Sequence, residues 1–404
     1  MKIYHITNYK EKCGIADYAE HLIKALEKNS VESVPLPIRW KEHKYMTGME
    51  LDRLYRQIAQ SVPEGSVVHL QHEFGFFAGR QGILKSLKVF DSLLSDLNSR
   101  KIKTVVTFHS VPPAFVPVTL KNIFRKTKQV RISRAWKKVV SHFNSGSCIA
   151  ICHNKHTHFE LVKRGMPRKA IRILYFPCAE NKECHEGVRC LAPSEEAKES
   201  LGLSKDSIVL TSFGFISAYK GINMAAEALQ CLPKKYVLVL AGDKHPEGSD
   251  LSLEKMLRDS KPHFWVKSSS ESNRRIIVTG YLNREKIASI WDATDIVLSC
   301  YQDVASFSMS AALPEALQSG KPVIASQIPA FREVNEMGNC LAMVAPGASH
   351  ELALTIQRLA GDDSAKASLV ENAQRYAHTH TWEGFATATA ALYRELSSGN
   401  SIKA

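Results

Sequence analysis

Short apolar runs of strand length alternate with amphipathic stretches along most of this chain. The pattern predicts strands at 2–6, 67–70, 104–108 and 148–151, with helices at 15–28, within 81–97 and near 155–163. The rhythm breaks at 177–196, a polar stretch that carries Pro177, Gly187 and Pro193 and reads as a connection between domains. It then resumes with strands at 208–213, 236–240, 275–278, 295–299 and 322–325, helices between them, and a helical region over 350–397. The strand runs are apolar and β-branched on both faces, as a sheet covered by helices on both sides requires.

Alternation of this kind implies an α/β protein with parallel sheets. The expected fold is two Rossmann-like domains facing each other across a cleft. The N-terminal domain is placed at 1–176, the linker at 177–198 and the C-terminal domain at 199–380. The final segment, 381–404, is expected to be a helix packing back toward the N-terminal domain.

Composition narrows the class. Of 404 residues, 44% are hydrophobic and 23% charged, which is ordinary for a globular protein. No apolar run approaches the length of a membrane helix, and the first residues lack the basic start and long apolar core of a signal peptide. Nine scattered cysteines form no disulfide framework and suit a reducing compartment, so the expected location is cytoplasmic. Cys178, Cys184, His185 and Cys190 lie close together but lack the paired spacing of a zinc site, so no metal and no resident cofactor is expected. The net charge of +13 attracts polyanions of some kind: nucleic acid, acidic lipid or an anionic substrate.

Candidate chemistry lies in loops that follow strands, where open α/β sheets bind ligands. Cys13-Gly14-Ile15-Ala16 follows the first strand, where a glycine lets a ligand approach the backbone at a helix start. Gln71-His72-Glu73-Phe74-Gly75 and Phe108-His109-Ser110 place two histidines at strand ends. Each is expected in the cleft, donating to a substrate hydroxyl or phosphate. In the second half, Phe213-Gly214-Phe215 leads to Lys220-Gly221, a cation suited to a diphosphate. Ser308-Met309-Ser310-Ala311-Ala312 opens a helix whose first amides can face phosphate oxygens, and Glu315 lies one turn inside it.

These motifs, in this order, resemble the retaining glycosyltransferases of family 4, which have the GT-B fold. The resemblance rests on Cys13-Gly14-Ile15-Ala16, Thr107-Phe108-His109, Lys220-Gly221, Ala241-Gly242-Asp243, Thr279-Gly280-Tyr281-Leu282 and Glu315-Ala316-Leu317-Gln318-Ser319-Gly320-Lys321-Pro322-Val323. It covers nearly the whole chain and looks most like a branch with mannosyltransferase-like members. It implies transfer of a hexose from a UDP- or GDP-sugar to a hydroxyl of a glycan or lipid-linked acceptor, with retention. His109 would then be the catalytic residue. Gly14, Lys220, Ser310, Ala311 and Ala312 would hold the diphosphate, Glu315 the ribose, and Tyr281 the base. His72, Glu73 and Ser308 are candidate sugar or acceptor contacts. Two positions depart from the family pattern: Phe215 stands where an arginine is usual, and Phe307 where the first of two glutamates is usual.

The span 121–138 carries Lys121, Arg125, Lys126, Lys128, Arg131, Arg134, Lys137 and Lys138 with no acidic residue. Together with Ile123, Phe124, Val130, Ile132 and Trp136 it reads as a basic amphipathic segment for an anionic membrane surface, with Arg125, Lys126, Lys128 and Arg131 as its patch. A soluble anionic acceptor is the alternative. No nucleic-acid partner is expected. Two rival readings of the whole chain stay open: a nucleotide-sugar epimerase of the same architecture, and a non-enzymatic polyanion-binding protein.

Overall fold

The structure is a computed structural model that describes residues 1–11, 13–43, 45–78, 81–112, 123–178, 192–243, 275–303 and 308–398, without the side chains of 123–126, 218 and 284. Two compact units emerge. The first comprises 1–177, 305–309 and 380–404; the second comprises 178–304 and 310–379.

The first unit holds a parallel sheet built from β1 (Lys2–Thr7), β2 (Glu32–Pro37), β3 (Val67–His72), β4 (Lys103–Phe108), β5 (Cys148–Cys152) and β6 (Ile171–Ile173), in the order β2-β1-β3-β4-β5-β6. β2 was not legible as a strand because Pro35 and Pro37 interrupt it. Both are tolerated because β2 is an edge strand, where a missing N–H breaks no ladder on the outer side.

Alternation along the strands sorts the two faces of this sheet. Val68 and Leu70 of β3 and Val106 and Phe108 of β4 enter one apolar core, where the helices Gly48–Ser61, Ile83–Ser99 and Ile123–Asn144 contribute Tyr55, Phe90 and Trp136. The intervening positions, His69, Gln71 and Thr107, are also buried but polar. The helix Trp382–Ser397 reaches that face: its Tyr393 hydroxyl lies 2.6 Å from His69 Nδ1. The helix Gly14–Glu27 packs beside it, with Tyr18 edge-on to Trp382.

The basic segment resolves into the helix Ile123–Asn144. Its apolar residues point inward: Ile132, Trp136, Val139 and Phe143 are buried, and the Trp136 indole N–H donates to Arg164 O at 2.9 Å. The expectation that Ile132 and Trp136 meet a membrane is therefore corrected; the fold needs them. What faces solvent is cationic: Lys128, Arg131, Arg134, Lys137 and Lys138 are exposed. The side chains of Arg125 and Lys126 lie outside the described residues, as does Lys121.

The second unit holds β7 (Ile208–Phe213), β8 (Tyr236–Ala241), β9 (Ile276–Val278), β10 (Ile296–Ser299), β11 (Val323–Ser326) and β12 (Ala342–Val344), all parallel, in the order β12-β11-β10-β7-β8-β9. Leu210, Leu238, Leu298 and Ile324 pack with the helices Ile222–Gln230 and Ser349–Ala360. The end of the expected linker is corrected. Residues Glu195–Ser200 form a helix of this unit, capped by the Ser194 hydroxyl. It is held by Lys198, whose buried ammonium lies 3.0 Å from Asp295 Oδ2 and donates to Ser207 O at 2.7 Å.

Candidate functional site

In the second unit the chain leaves β7, builds β8 and β9 on one side, then crosses to β10 on the other. β7 and β10 are therefore neighbours at the point where strand order reverses, the place where such sheets leave a crevice at their carboxyl ends. Lys220 occupies that place. It ends the short turn Ala218–Lys220 after β7, and its ammonium donates to Phe213 O at 2.9 Å and lies 5.8 Å from the Tyr301 ring, just past β10. Burial pulls its pKa down to about 7. No carboxylate lies within ion-pair distance of it among the described residues.

Glycines bring these loops together. Gly221, at φ +63°, presses so close to the backbone oxygen of Cys300 that a Cβ would lie 1.7 Å from it, and a Cβ on Gly242 would lie 2.2 Å from the oxygen of Gly214. Only glycine allows the loops after β7, β8 and β10 to pack at this distance. Gly14 in the first unit is different. It opens the helix Gly14–Glu27, and a Cβ there would meet nothing within 4 Å. Among the described residues packing gives no reason for that glycine.

The segment after 308 is only partly as expected. The helix Ala312–Gln318 carries Glu315 in its first turn, half-buried. The Ser310 hydroxyl is hydrogen-bonded to the Tyr301 hydroxyl at 2.5 Å and accepts the Ala312 N–H at 3.2 Å. The Ala312 N–H, expected to face a phosphate, is thus already engaged within the segment. Ser308 is corrected as a sugar contact. It is buried within the first unit, where its backbone oxygen accepts from Asn154 Nδ2 and its hydroxyl accepts from Thr157 Oγ1 at 3.1 Å. Tyr281 follows β9 and Gly280 and is exposed. Phe215 is half-buried, while Phe307 lies outside the described residues.

In the first unit the two histidines separate. His72 shares the face of Val68 and Leu70 and is fully buried, ringed by Phe74, Phe77, Phe90 and Phe108. Among the described residues neither ring nitrogen has a hydrogen-bond partner, and burial lowers its pKa to about 3. His72 is a core ring, and the expectation of a substrate contact is corrected. Glu73 turns its carboxylate back onto the Phe74 N–H at 2.9 Å, starting the short helix Phe74–Ala78.

His109 lies on the polar side, half-buried, with Nε2 2.8 Å from Gln71 Oε1 and its ring 5.0 Å from that of Tyr18 in an edge contact. Burial, with His153 and His72 nearby, holds its pKa well below the usual histidine range, so it is neutral at physiological pH. The Nε2 of His109 is thus engaged by Gln71, which leaves Nδ1 as the ring atom to meet a substrate. Two hydroxyls given no role from the sequence stand in these loops: those of Ser110, beside His109, and Ser217, between β7 and Lys220, are buried without a partner among the described residues. Both lie inside the motif loops, and only their burial sets them apart. Of the cysteine cluster, Cys184, His185 and Cys190 lie outside the described residues. Among those described, Cys178 is a buried free thiol and no group of side chains is arranged to hold a metal.

Residues 193–376 match the family model described as glycosyl transferases group 1. The second unit, whose whole sheet lies within that segment, is thus similar to group 1 glycosyltransferases. Lys220, its crevice loops and Glu315 all fall inside the matched segment. A relative described as alpha-D-kanosaminyltransferase, from Streptomyces kanamyceticus, is 24% identical over 243 residues. That alignment spans 58% of this chain and only 56% of the relative.

Solved structures extend the likeness over both units. Anabaena Alr3699/HepE in complex with UDP-glucose is similar with a TM-score of 0.69 at 16% identity, over 98% of this chain and all of that one. Sucrose-phosphate synthase from Thermosynechococcus elongatus is similar with a TM-score of 0.69 at 16% identity, over 99% of this chain and 100% of that one. At these identities the likeness establishes the fold. The two parallel six-stranded sheets and their helices form a GT-B architecture.

Proposed function

We propose that this chain is a retaining hexosyltransferase that moves a hexose from a UDP- or GDP-sugar to a hydroxyl of a glycan or lipid-linked acceptor. The observation that carries this reading is Lys220: a desolvated amine without a carboxylate partner among the described residues, at the strand-order reversal of a glycosyltransferase domain. Breaking the bond from sugar to phosphate builds negative charge on the departing diphosphate. A cation held in place in a site poor in water stabilises that charge without reorganising.

In this reading Lys220 meets the diphosphate, with the amides of Ser310 and Ala311 beside it and the Gly14 backbone as a further contact. Glu315 accepts from the ribose hydroxyls and the backbone at Tyr281 meets the base. His109 serves the sugar. The charge is met by Lys220 rather than a metal ion, so EDTA is expected to leave turnover unchanged.

UDP-glucose, the ligand named for the Anabaena protein, is the first donor to test. The purified chain is incubated with UDP-glucose and, in parallel, GDP-mannose. Melting temperature and nucleotide release are then followed with and without candidate acceptors. A bound donor raises apparent stability, and acceptor-dependent release of nucleotide supports transfer. Conversion of the donor without acceptor would show an epimerase instead. No shift and no release with either donor would end the reading.

A further inference from the structure

The polar face of the first sheet holds a chain of hydrogen bonds that ends on His109. Gln71 and His69 are two residues apart on β3 and therefore share a face, and Thr107 is the register partner of Gln71 on β4. Gln71 Oε1 is 2.8 Å from His109 Nε2, and Gln71 Nε2 is 3.3 Å from His69 Nε2. His69 Nε2 also lies 2.8 Å from Thr107 Oγ1, and His69 Nδ1 lies 2.6 Å from the Tyr393 hydroxyl. His69, Gln71, Thr107 and Tyr393 are each at most 1% exposed. The same face also carries the buried Val67, Val105 and Ile151, so these polar groups meet one another in an apolar setting.

An amide presents an acceptor at one end and donors at the other. Lying between two imidazoles, it requires one to offer N–H and the other a lone pair. We propose that Gln71 is a positioning residue: its amide forces His109 and His69 into opposite tautomers, with the His109 proton on Nε2 and its Nδ1 left as an acceptor for a substrate hydroxyl. In this arrangement the bare Nε2 of His69 accepts from the Thr107 hydroxyl at 2.8 Å and from the Gln71 NH2 at 3.3 Å, and His69 Nδ1–H donates to the Tyr393 hydroxyl. Tyr393 comes from the helix Trp382–Ser397, so a residue near the end of the sequence helps set the proton on a ring near position 109. The role given to His109 follows: it accepts from a hydroxyl of the sugar or acceptor and does not donate to phosphate. This deepens the proposed function and rests on it for the substrate, whereas the tautomer itself does not.

The test is long-range 15N–1H correlation spectroscopy of the full chain labelled with 15N-histidine, with the His109 signals identified by their loss in His109→Asn. The expected wild-type pattern is a protonated Nε2 and a bare Nδ1 at His109. Gln71→Glu keeps an oxygen facing His109 and should preserve the proton on Nε2. Gln71→Leu removes the amide and should give a mixture of tautomers. In transfer assays Gln71→Leu should lower kcat about 10-fold with little change in donor KM, the range expected when an orienting partner of a histidine is lost. A wild-type His109 protonated on Nδ1 would overturn the proposal, even if no Gln71 variant folds. So would a Gln71→Leu protein whose His109 keeps its Nε2 proton, or one whose tautomer shifts without effect on kcat. Absence of any transferase activity with the expected tautomer in place would count against the proposed function alone.

Discussion

At the residue scale, His72 and His109 show how strongly position decides role. His72 ends β3 and His109 follows β4, and both are neutral, yet one is a core ring and the other sits beside polar partners. The distinction was present in the sequence as parity. His72 shares its face with Val68 and Leu70, while Gln71 shares its face with His69, and strand alternation makes that separation obligatory. His109→Ala is expected to keep the fold and cut turnover at least ~10²-fold, the range for loss of a positioned acid–base or polar group. Circular dichroism with steady-state kinetics checks it; near wild-type turnover would remove His109 from the site. Lys220 gives a pH prediction. With a pKa of about 7 in the empty protein it is mostly neutral at pH 8. A diphosphate favours the ammonium, so binding takes up a proton, and affinity should fall about tenfold per pH unit above 7. Calorimetry at pH 8 in two buffers of different ionisation enthalpy should show uptake of close to one proton, absent in Lys220→Met.

The element that departs most from its sequence reading is the helix Ile123–Asn144. Its basic count was plain, but its apolar positions lacked clean periodicity and were read as surface. In the fold they are the contact of a long helix with the sheet and with the helix Ile83–Ser99, to which His142 Nε2 is tied through Asp91 Oδ1 at 3.0 Å. The exposed side retains Lys128, Arg131, Arg134, Lys137 and Lys138, with Val130 as the exposed large apolar residue of this helix. Such a surface attracts an anionic bilayer without inserting into it. Each basic residue near the surface adds about 1 kcal/mol, a contribution that salt screens. The expected outcome of liposome co-sedimentation is binding to anionic vesicles at low salt only, lost when Lys128, Arg131 and Arg134 become Ser. Binding to neutral vesicles, or none at low salt, would contradict it. Among the described residues no helix is long and apolar enough to cross a membrane.

At the scale of the whole molecule, buried histidines make the first unit acid-sensitive. His5 and His72 have pKa values lowered to about 3 and His153 to about 4, with His69 well below the usual value, all by burial. As pH falls through 6.5 the unfolded chain binds protons that the folded protein cannot, so stability is full above that pH and declines below it. The slope approaches about 1.4 kcal/mol per histidine per pH unit. Melting temperature should therefore drop steeply between pH 6.5 and 5. His72→Phe should make the decline shallower by one proton. It should also stabilise the protein at pH 8 by about 1–3 kcal/mol, because two unpartnered buried ring nitrogens disappear. A destabilised His72→Phe protein at pH 8 would contradict the core assignment.

The order of strands and helices, the parallel sheets and the loops that carry Gly14, His109, Lys220 and Glu315 were legible in the sequence, because hydrophobic period and glycine placement are local properties of the chain. Edge strand β2 was hidden by its prolines, whose acceptability depends on having no outer neighbour. Contacts across the chain were decided by tertiary structure alone. Nothing local pairs Tyr393 with His69, sets Gly221 against Cys300, or buries Lys220 where strand order reverses. Those arrangements depend on which strands become neighbours and which helix covers them. The pKa of Lys220 and the inward turn of His72 follow from burial, and burial is a property of the folded whole.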